Sequence, residues 1–251
     1  MSHSGISRTS IQRDHALVTP ESHVPLHVPG WTDAMTVVLV SRELGAGFGQ
    51  YLVHAGTGTR MKALNPLNEY LVMVLDGSVD LSLAGETNGG EIEVLEAEGF
   101  AYLPPASSWS IHASGTAELL VFEKCYVPVP GVAAPAGFVS RTSEIEAVPF
   151  LGDPGALLTC LLPVGPAWDW GINVFEFAPG GTLPNVETHF MEHGLYMLAG
   201  QGVYRLGERW YPVMSGDAIW MSPYLTQWFA ATGKSSTRYI YYKEMNRVAA
   251  V

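Results

Sequence analysis

Short runs rich in Val, Leu, Tyr and Trp recur along the whole chain, and each is closed by Gly, Pro, Asp or Ser. Apolar runs of this length with that punctuation predict strands rather than helices. The clearest cover residues 35–41, 70–75, 118–122, 172–177, 195–198, 218–221 and 238–242. The 27 Gly and 17 Pro are spread evenly, so no helix of ordinary length finds an uninterrupted window. The pattern predicts an all-β protein.

The strand pattern is also repeated. Glu69-Tyr-Leu-Val-Met-Val-Leu-Asp-Gly77 parallels Glu192-His-Gly-Leu-Tyr-Met-Leu-Ala-Gly200 with identical spacing. Gly99-Phe-Ala-Tyr-Leu-Pro-Pro105 parallels Gly216-Asp-Ala-Ile-Trp-Met-Ser-Pro223 with one residue fewer, and Leu119-Leu-Val-Phe-Glu-Lys124 parallels Arg238-Tyr-Ile-Tyr-Tyr-Lys243. Three matches in one order, each offset by about 120 residues, indicate a duplicated unit. Residues 127–153, with Pro-Val-Pro-Gly and Ala-Ala-Pro-Ala-Gly, read as the connection, which places the halves at 1–140 and 141–251. The stretch before Pro29 has no strand pattern and is expected to pack as an arm across one half or a neighbouring subunit.

Composition narrows the partners. A chain of 251 residues with 47% apolar and 15% charged residues buries a substantial core without disulfides. The formal charge of −11 and the lack of any Lys/Arg run remove the electrostatic footprint of a nucleic-acid or membrane-surface binder. Cys125 and Cys160 stand in apolar runs and read as free buried thiols. The polar opening segment has no secretory pattern and no run approaches the length of a membrane span, so the expected location is cytoplasmic.

Candidate chemistry concentrates at Glu187-Thr-His189-Phe-Met-Glu-His193, three donors just before the predicted strand at 195–198. On a strand, Glu187 and His189 share a face, and His193 opens the next strand. The spacing of His189 and His193 also occurs in zinc-protease helices, but Phe190 stands where that motif needs Glu, and Gly194 follows at once. His23, His27 and His112 read as structural or exposed.

These motifs resemble the cupin superfamily, small double-stranded β-helix barrels, with the ligand types exchanged. Glu187 stands at the first His position, His189 at the second, His193 at the Glu position, and Gln227 where a later His is usual. The N-terminal copy has no His-x-His and carries Trp109 at the last ligand position. The permuted set is similar to that of the bicupin family of (S)-ureidoglycine aminohydrolases. Further likeness runs from His15-Ala-Leu-Val-Thr-Pro20 through Pro29-Gly-Trp31, Tyr126-Val-Pro128 and Gly200-Gln-Gly202 to Lys243-Glu-Met-Asn-Arg247.

That resemblance implies two jelly-roll barrels in one chain and a homo-oligomer. It implies one Mn(II) held by Glu187, His189, His193 and Gln227 in the C-terminal half alone. It further implies release of ammonia from the small molecule (S)-ureidoglycine, giving (S)-ureidoglycolate, during allantoin breakdown in purine catabolism. Glu187 and Lys243 are the implied proton-transfer groups, and Glu187, Gln227, Tyr204, Tyr239 and Lys243 the implied substrate contacts. Read as donors alone, one carboxylate, one amide oxygen and two imidazoles without a thiolate suit Mn(II) or Fe(II). An Fe(II) dioxygenase and a non-catalytic ligand-binding cupin are therefore the competing readings.

Overall fold

The structure, a computed structural model, describes residues 6–84 and 92–247. The N-terminal half runs β1 (Ser10–Ile11), β2 (His15–Val18), β3 (Thr32–Val40), β4 (Gly49–Lys62), β5 (Asn68–Ala84), β6 (Ile92–Glu96), β7 (Gly99–Leu103), β8 (Ser108–His112), β9 (Ala117–Cys125) and β10 (Phe138–Arg141). The C-terminal half runs β11 (Val148–Phe150), β12 (Asp153–Cys160), β13 (Trp170–Phe177), β14 (His193–Ala199), β15 (Gln201–Leu206), β16 (Arg209–Met214), β17 (Ala218–Met221), β18 (Gln227–Ala231) and β19 (Thr237–Glu244). Helical structure among the described residues is confined to single 3₁₀ turns, and no helix is long and apolar enough to cross a membrane. The protein is all-β, with six of the seven predicted runs inside β5, β9, β13, β14, β17 and β19 and the seventh, 35–41, running one residue past the end of β3.

Each half folds as a barrel because its strands bury alternate side chains inward. In the N-terminal barrel Tyr70, Val72 and Val74 join Val53, Trp109 and Val121 inside; in the C-terminal barrel Leu195 and Met197 join Phe175, Phe229 and Tyr239. The opposite faces of the same strands are buried too. Phe48, Leu71, Met73 and Phe122 of one barrel meet Trp170, Tyr196, Trp220 and Tyr242 of the other in a shared apolar seam. A strand covered on both sides needs apolar residues at successive positions, which explains the unbroken run Tyr70 to Val74. Gly77 and Gly200 mark equivalent bends: both have positive φ, and a Cβ would stand 2.4 Å from Thr116 O and 2.5 Å from Thr237 Oγ1.

The arm and the connection correct the sequence reading. Residues before Pro29 do form strands: β2 pairs antiparallel with β17 of the C-terminal barrel, and β1 pairs with β2. The connection contains β10, which pairs with β7 of the N-terminal barrel. Each barrel thus receives a strand at the edge of its motif strand, β17 or β7, from the segment that precedes the other half. Cys125 and Cys160 are free but only half-buried.

The arm is fastened by charge. Arg8 donates from Nη1 and Nη2 to Asp217 at 2.7 and 2.8 Å, and Asp217 is fully buried. Arg8→Ala leaves that carboxylate with the amide of Met214 as its remaining hydrogen-bond partner. The expected loss is about 1.5–3 kcal/mol, the range for a hydrogen bond to a charged group, read as a lower melting temperature.

A charged cluster crosses the seam on the side away from the candidate site. Lys124 contacts Asp169 of the C-terminal barrel and stands 3.7 Å from Glu69, while Tyr102 donates to Glu69 at 2.7 Å. Burial, then the hydrogen bond and charge of Asp169, push the Glu69 carboxyl up to about 9. A proton there serves both Glu69 Oε1 and Asp169 Oδ1, which have no other donor among the described residues. Because the folded value lies above the ordinary carboxylate value of 4.5, stability is full below that pH and falls as pH rises to about 9. Glu69→Gln carries its donor permanently and should remove this part of the decline, visible as a flatter melting-temperature profile than wild type across the same window.

Candidate metal and catalytic site

The C-terminal barrel encloses a cleft of about 400 Å³, counting its open mouth. Glu187, His193, Tyr204, Gln227, Tyr239, Tyr241 and Lys243 line it, with Phe150, Phe175, Leu183, Leu195 and Met221 as its apolar wall. The two-residue period of β19 delivers Tyr239, Tyr241 and Lys243 to one face, and β14 places His193 opposite Lys243 in the antiparallel register. Glu187 and His189 lie on an irregular segment and not on the expected strand. The segment is held by reciprocal backbone bonds between Glu187 and Gln227, both 2.9 Å, and by Tyr224 N donating to His189 O at 2.7 Å.

The donors converge. Nε2 of His189 and Nε2 of His193 are 3.0 Å apart, the Gln227 amide nitrogen is 3.2 Å from His189 Nε2, and Glu187 Oε2 is 3.7 Å from it. His193 is buried, and its Nδ1 is 3.1 Å from the carbonyl of Tyr242. Burial, then the charges of His189 and Lys243, push the His193 imidazolium down to about 3. The ring is therefore neutral, its proton sits on Nδ1 facing that carbonyl, and its Nε2 lone pair points at His189.

His189 Nε2 either carries its ring proton and donates to His193 Nε2 or presents a second lone pair there, and in the second form the pair suits a cation, since cis ligands on an octahedral ion with bonds of about 2.1 Å stand about 3 Å apart. The donor set thus fits a divalent ion, with two adjustments. Glu187 must close by a fraction of an ångström, since among the described residues no three His, Cys, Asp or Glu side chains already make a cage. Gln227 must turn its amide by half a rotation to present oxygen, which also gives Tyr204 a donor in place of the 3.3 Å bond it now makes to Oε1. Among the described residues, His189 Nδ1 has no hydrogen-bond partner.

The aromatic groups are packed as well as polar. Tyr204 and Tyr239 are buried, and burial raises both phenols well above their ordinary value, so both remain neutral donors. Burial also lowers the Lys243 ammonium, against the opposing pull of the Glu187 carboxylate.

Comparison with known proteins follows this geometry. A cupin domain model matches residues 173–242, from β13 to β19. The probable (S)-ureidoglycine aminohydrolase of rice (Oryza sativa subsp. japonica) is 41% identical over 97% of this chain and 77% of its own length. The (S)-ureidoglycine aminohydrolase of Arabidopsis thaliana is 37% identical over 97% of this chain and 80% of its own length. The chain belongs to the (S)-ureidoglycine aminohydrolase family. Among solved structures, protein Ylba from E. coli superposes with a TM-score of 0.85 at 30% identity, covering 98% of this chain and 97% of that one. This likeness extends the family architecture, two cupin barrels in one chain, over the whole described fold.

Within that family architecture, the N-terminal barrel carries other residues at two of the equivalent positions. Strand register places Tyr70 where His193 stands and Trp109 where Gln227 stands. Their rings pack edge to face at 5.2 Å, and the Tyr70 hydroxyl accepts from the amides of Leu64 and Asn65. Register also corrects the repeat: Lys124 pairs with Glu69, whereas Glu192, the equivalent of Glu69, aligns with Glu244. The counterpart of Lys243 is Glu123, not Lys124. One residue of slip reverses the face, so Lys124 points into the seam and Lys243 into the cleft. Tyr241 and Phe150 also line the cleft; counting back by two from Lys243 finds Tyr241, while Phe150 comes from the preceding hairpin and carries no local signal.

Proposed function

We propose that the protein hydrolyses (S)-ureidoglycine to (S)-ureidoglycolate and ammonia, with Mn(II) held by Glu187, His189, His193 and Gln227, as a step of allantoin breakdown in purine catabolism. The observation that carries the reading is the convergence of Glu187, His193, Gln227 and Lys243 on one cleft, with His189 against the first three, in a chain whose relatives bear the name of that activity.

The substrate carries an amine, a ureido nitrogen and a carboxylate on one carbon. Hydrolysis breaks the bond from that carbon to the amine nitrogen and forms a bond to a water oxygen. A divalent ion held by Glu187, His189, His193 and Gln227 would supply a Lewis acid beside the substrate carbon. Lys243 delivers a proton to the departing nitrogen, for which a cation with its pKa lowered by burial is suited. Glu187, on the same cleft, takes the proton from the attacking water. Tyr204 and Tyr239, neutral and buried, donate hydrogen bonds to the polar groups of the substrate, and Phe150, Phe175 and Leu183 limit access of bulk water.

The same donors suit oxygen activation by Fe(II). The test is to give freshly generated ureidoglycine to manganese-loaded protein and follow ammonia and dissolved oxygen together. Ammonia released at constant oxygen supports the hydrolase; oxygen uptake without ammonia replaces it with the dioxygenase.

A further inference from the structure

Directly behind the ligand strand β14 lies a segment of the other barrel, Gly47 to Gln50, at the start of β4. It meets that strand and the residue before it at three points, Glu192, Gly194 and Leu195. The amide of Gly47 donates to the Glu192 carboxylate at 3.0 Å, a group also held by Trp220 Nε1 at 2.6 Å. The Phe48 ring fills the space above Gly194, where a Cβ would stand 2.2 Å from Phe48 Cζ. Gln50 Nε2 donates to the carbonyl of Leu195 at 3.2 Å. The residue on the opposite face of this short stretch is His193.

Phe48 reaches the second anchor of His193 as well. Gly194 and Tyr242 are cross-strand neighbours, and Phe48 stacks on the Tyr242 ring at 4.0 Å with an interplanar angle of 19°. The carbonyl of that Tyr242 takes the Nδ1 proton of His193. Both determinants of the imidazole, its backbone and the acceptor that fixes its tautomer, therefore rest on one aromatic ring from the barrel without ligands. Gly194 makes this possible, since any side chain there would lift the ring away.

We propose that Phe48, with Gly47 and Gln50, is the positioning wall of the metal site, so that the N-terminal barrel sets the orientation and tautomer of His193 in the C-terminal one. The inference rests on the reading of His193 as a ligand. Groups that orient a ligating imidazole typically account for about 10–100-fold in metal affinity.

The experiment uses the full chain with Phe48→Leu, and with Gln50→Leu as a milder substitution should the first fold poorly. Phe100→Leu, in the same seam but with Phe138 as its aromatic neighbour, is the packing control. Three quantities are read: the Mn(II) dissociation constant from free-ion electron paramagnetic resonance, the melting temperature of metal-free protein, and the ¹⁵N signals of His193 in metal-free protein. Phe48→Leu should raise the dissociation constant about 10–100-fold and replace the single Nδ1–H tautomer by a mixture. Phe100→Leu should lower the melting temperature while leaving the other two unchanged. A wild-type dissociation constant and a single tautomer in both Phe48→Leu and Gln50→Leu would overturn the proposal. Should wild type itself bind no divalent ion, the ligand reading fails, and the tautomer signal still decides whether Phe48 positions the ring.

Discussion

His193→Ala is expected to abolish metal binding and ammonia release together. Of the four donors, His193 has the most constrained imidazole: it is 4% exposed, its Nδ1 faces the Tyr242 carbonyl and its Nε2 meets His189 at 3.0 Å. Mn(II) stands at the weak end of the divalent series, so three remaining donors with an open position hold it poorly. Affinity should fall by more than about 100-fold, beyond what loss of a supporting hydrogen bond costs. The backbone ladders of β14 to β17 and β19 do not involve the side chain, so circular dichroism should retain the wild-type strand signal. Gln227→Ala should be milder, because a neutral amide oxygen contributes less than an imidazole or a carboxylate. Equal metal loss in the two variants, measured by elemental analysis after gel filtration, would contradict this ranking.

Lys243→Met separates chemistry from coordination. The methionine keeps most of the apolar stem, and the four donors lie on β14, β18 and the 187–189 segment rather than on β19. Metal content and melting temperature should therefore stay near wild type. Turnover should drop by roughly 10²–10⁴-fold, the range for losing a positioned acid or base. If Lys243 serves only to attract the substrate carboxylate, KM rises and kcat is largely kept. Unchanged kinetics in both parameters would assign Lys243 no part in the reaction.

The side-chain cluster of the C-terminal cleft was legible because most of it is local. Glu187, His189 and His193 fall within one short stretch, and the period of two that places Tyr239, Tyr241 and Lys243 on one face follows from β19 alone. The all-β class was equally legible in the punctuation of the apolar runs. What escaped depends on partners distant in sequence. The arm reads as patternless because β2 is a strand only when laid against β17, some two hundred residues later. The match of Lys124 with Lys243 was one position out, since identity of residue type is a poorer guide to register than the ladder itself; the structure sets Lys124 against Glu69 and Asp169 across the seam. Glu192 gave no signal of its own beside His193, and its role appears only with Gly47 of the other barrel beneath it.

The most direct measurement titrates metal-free protein with Mn(II) and records bound ion and ammonia release from ureidoglycine in the same samples. Glu187, His189, His193 and Gln227 lie close together in the C-terminal barrel, and the N-terminal barrel places Tyr70 and Trp109 at two of the equivalent positions. The expected result is that both quantities rise in parallel, saturate at about one ion per chain, and are absent in His193→Ala. Full ammonia release without bound metal, or a second ion per chain required for activity, would contradict the account.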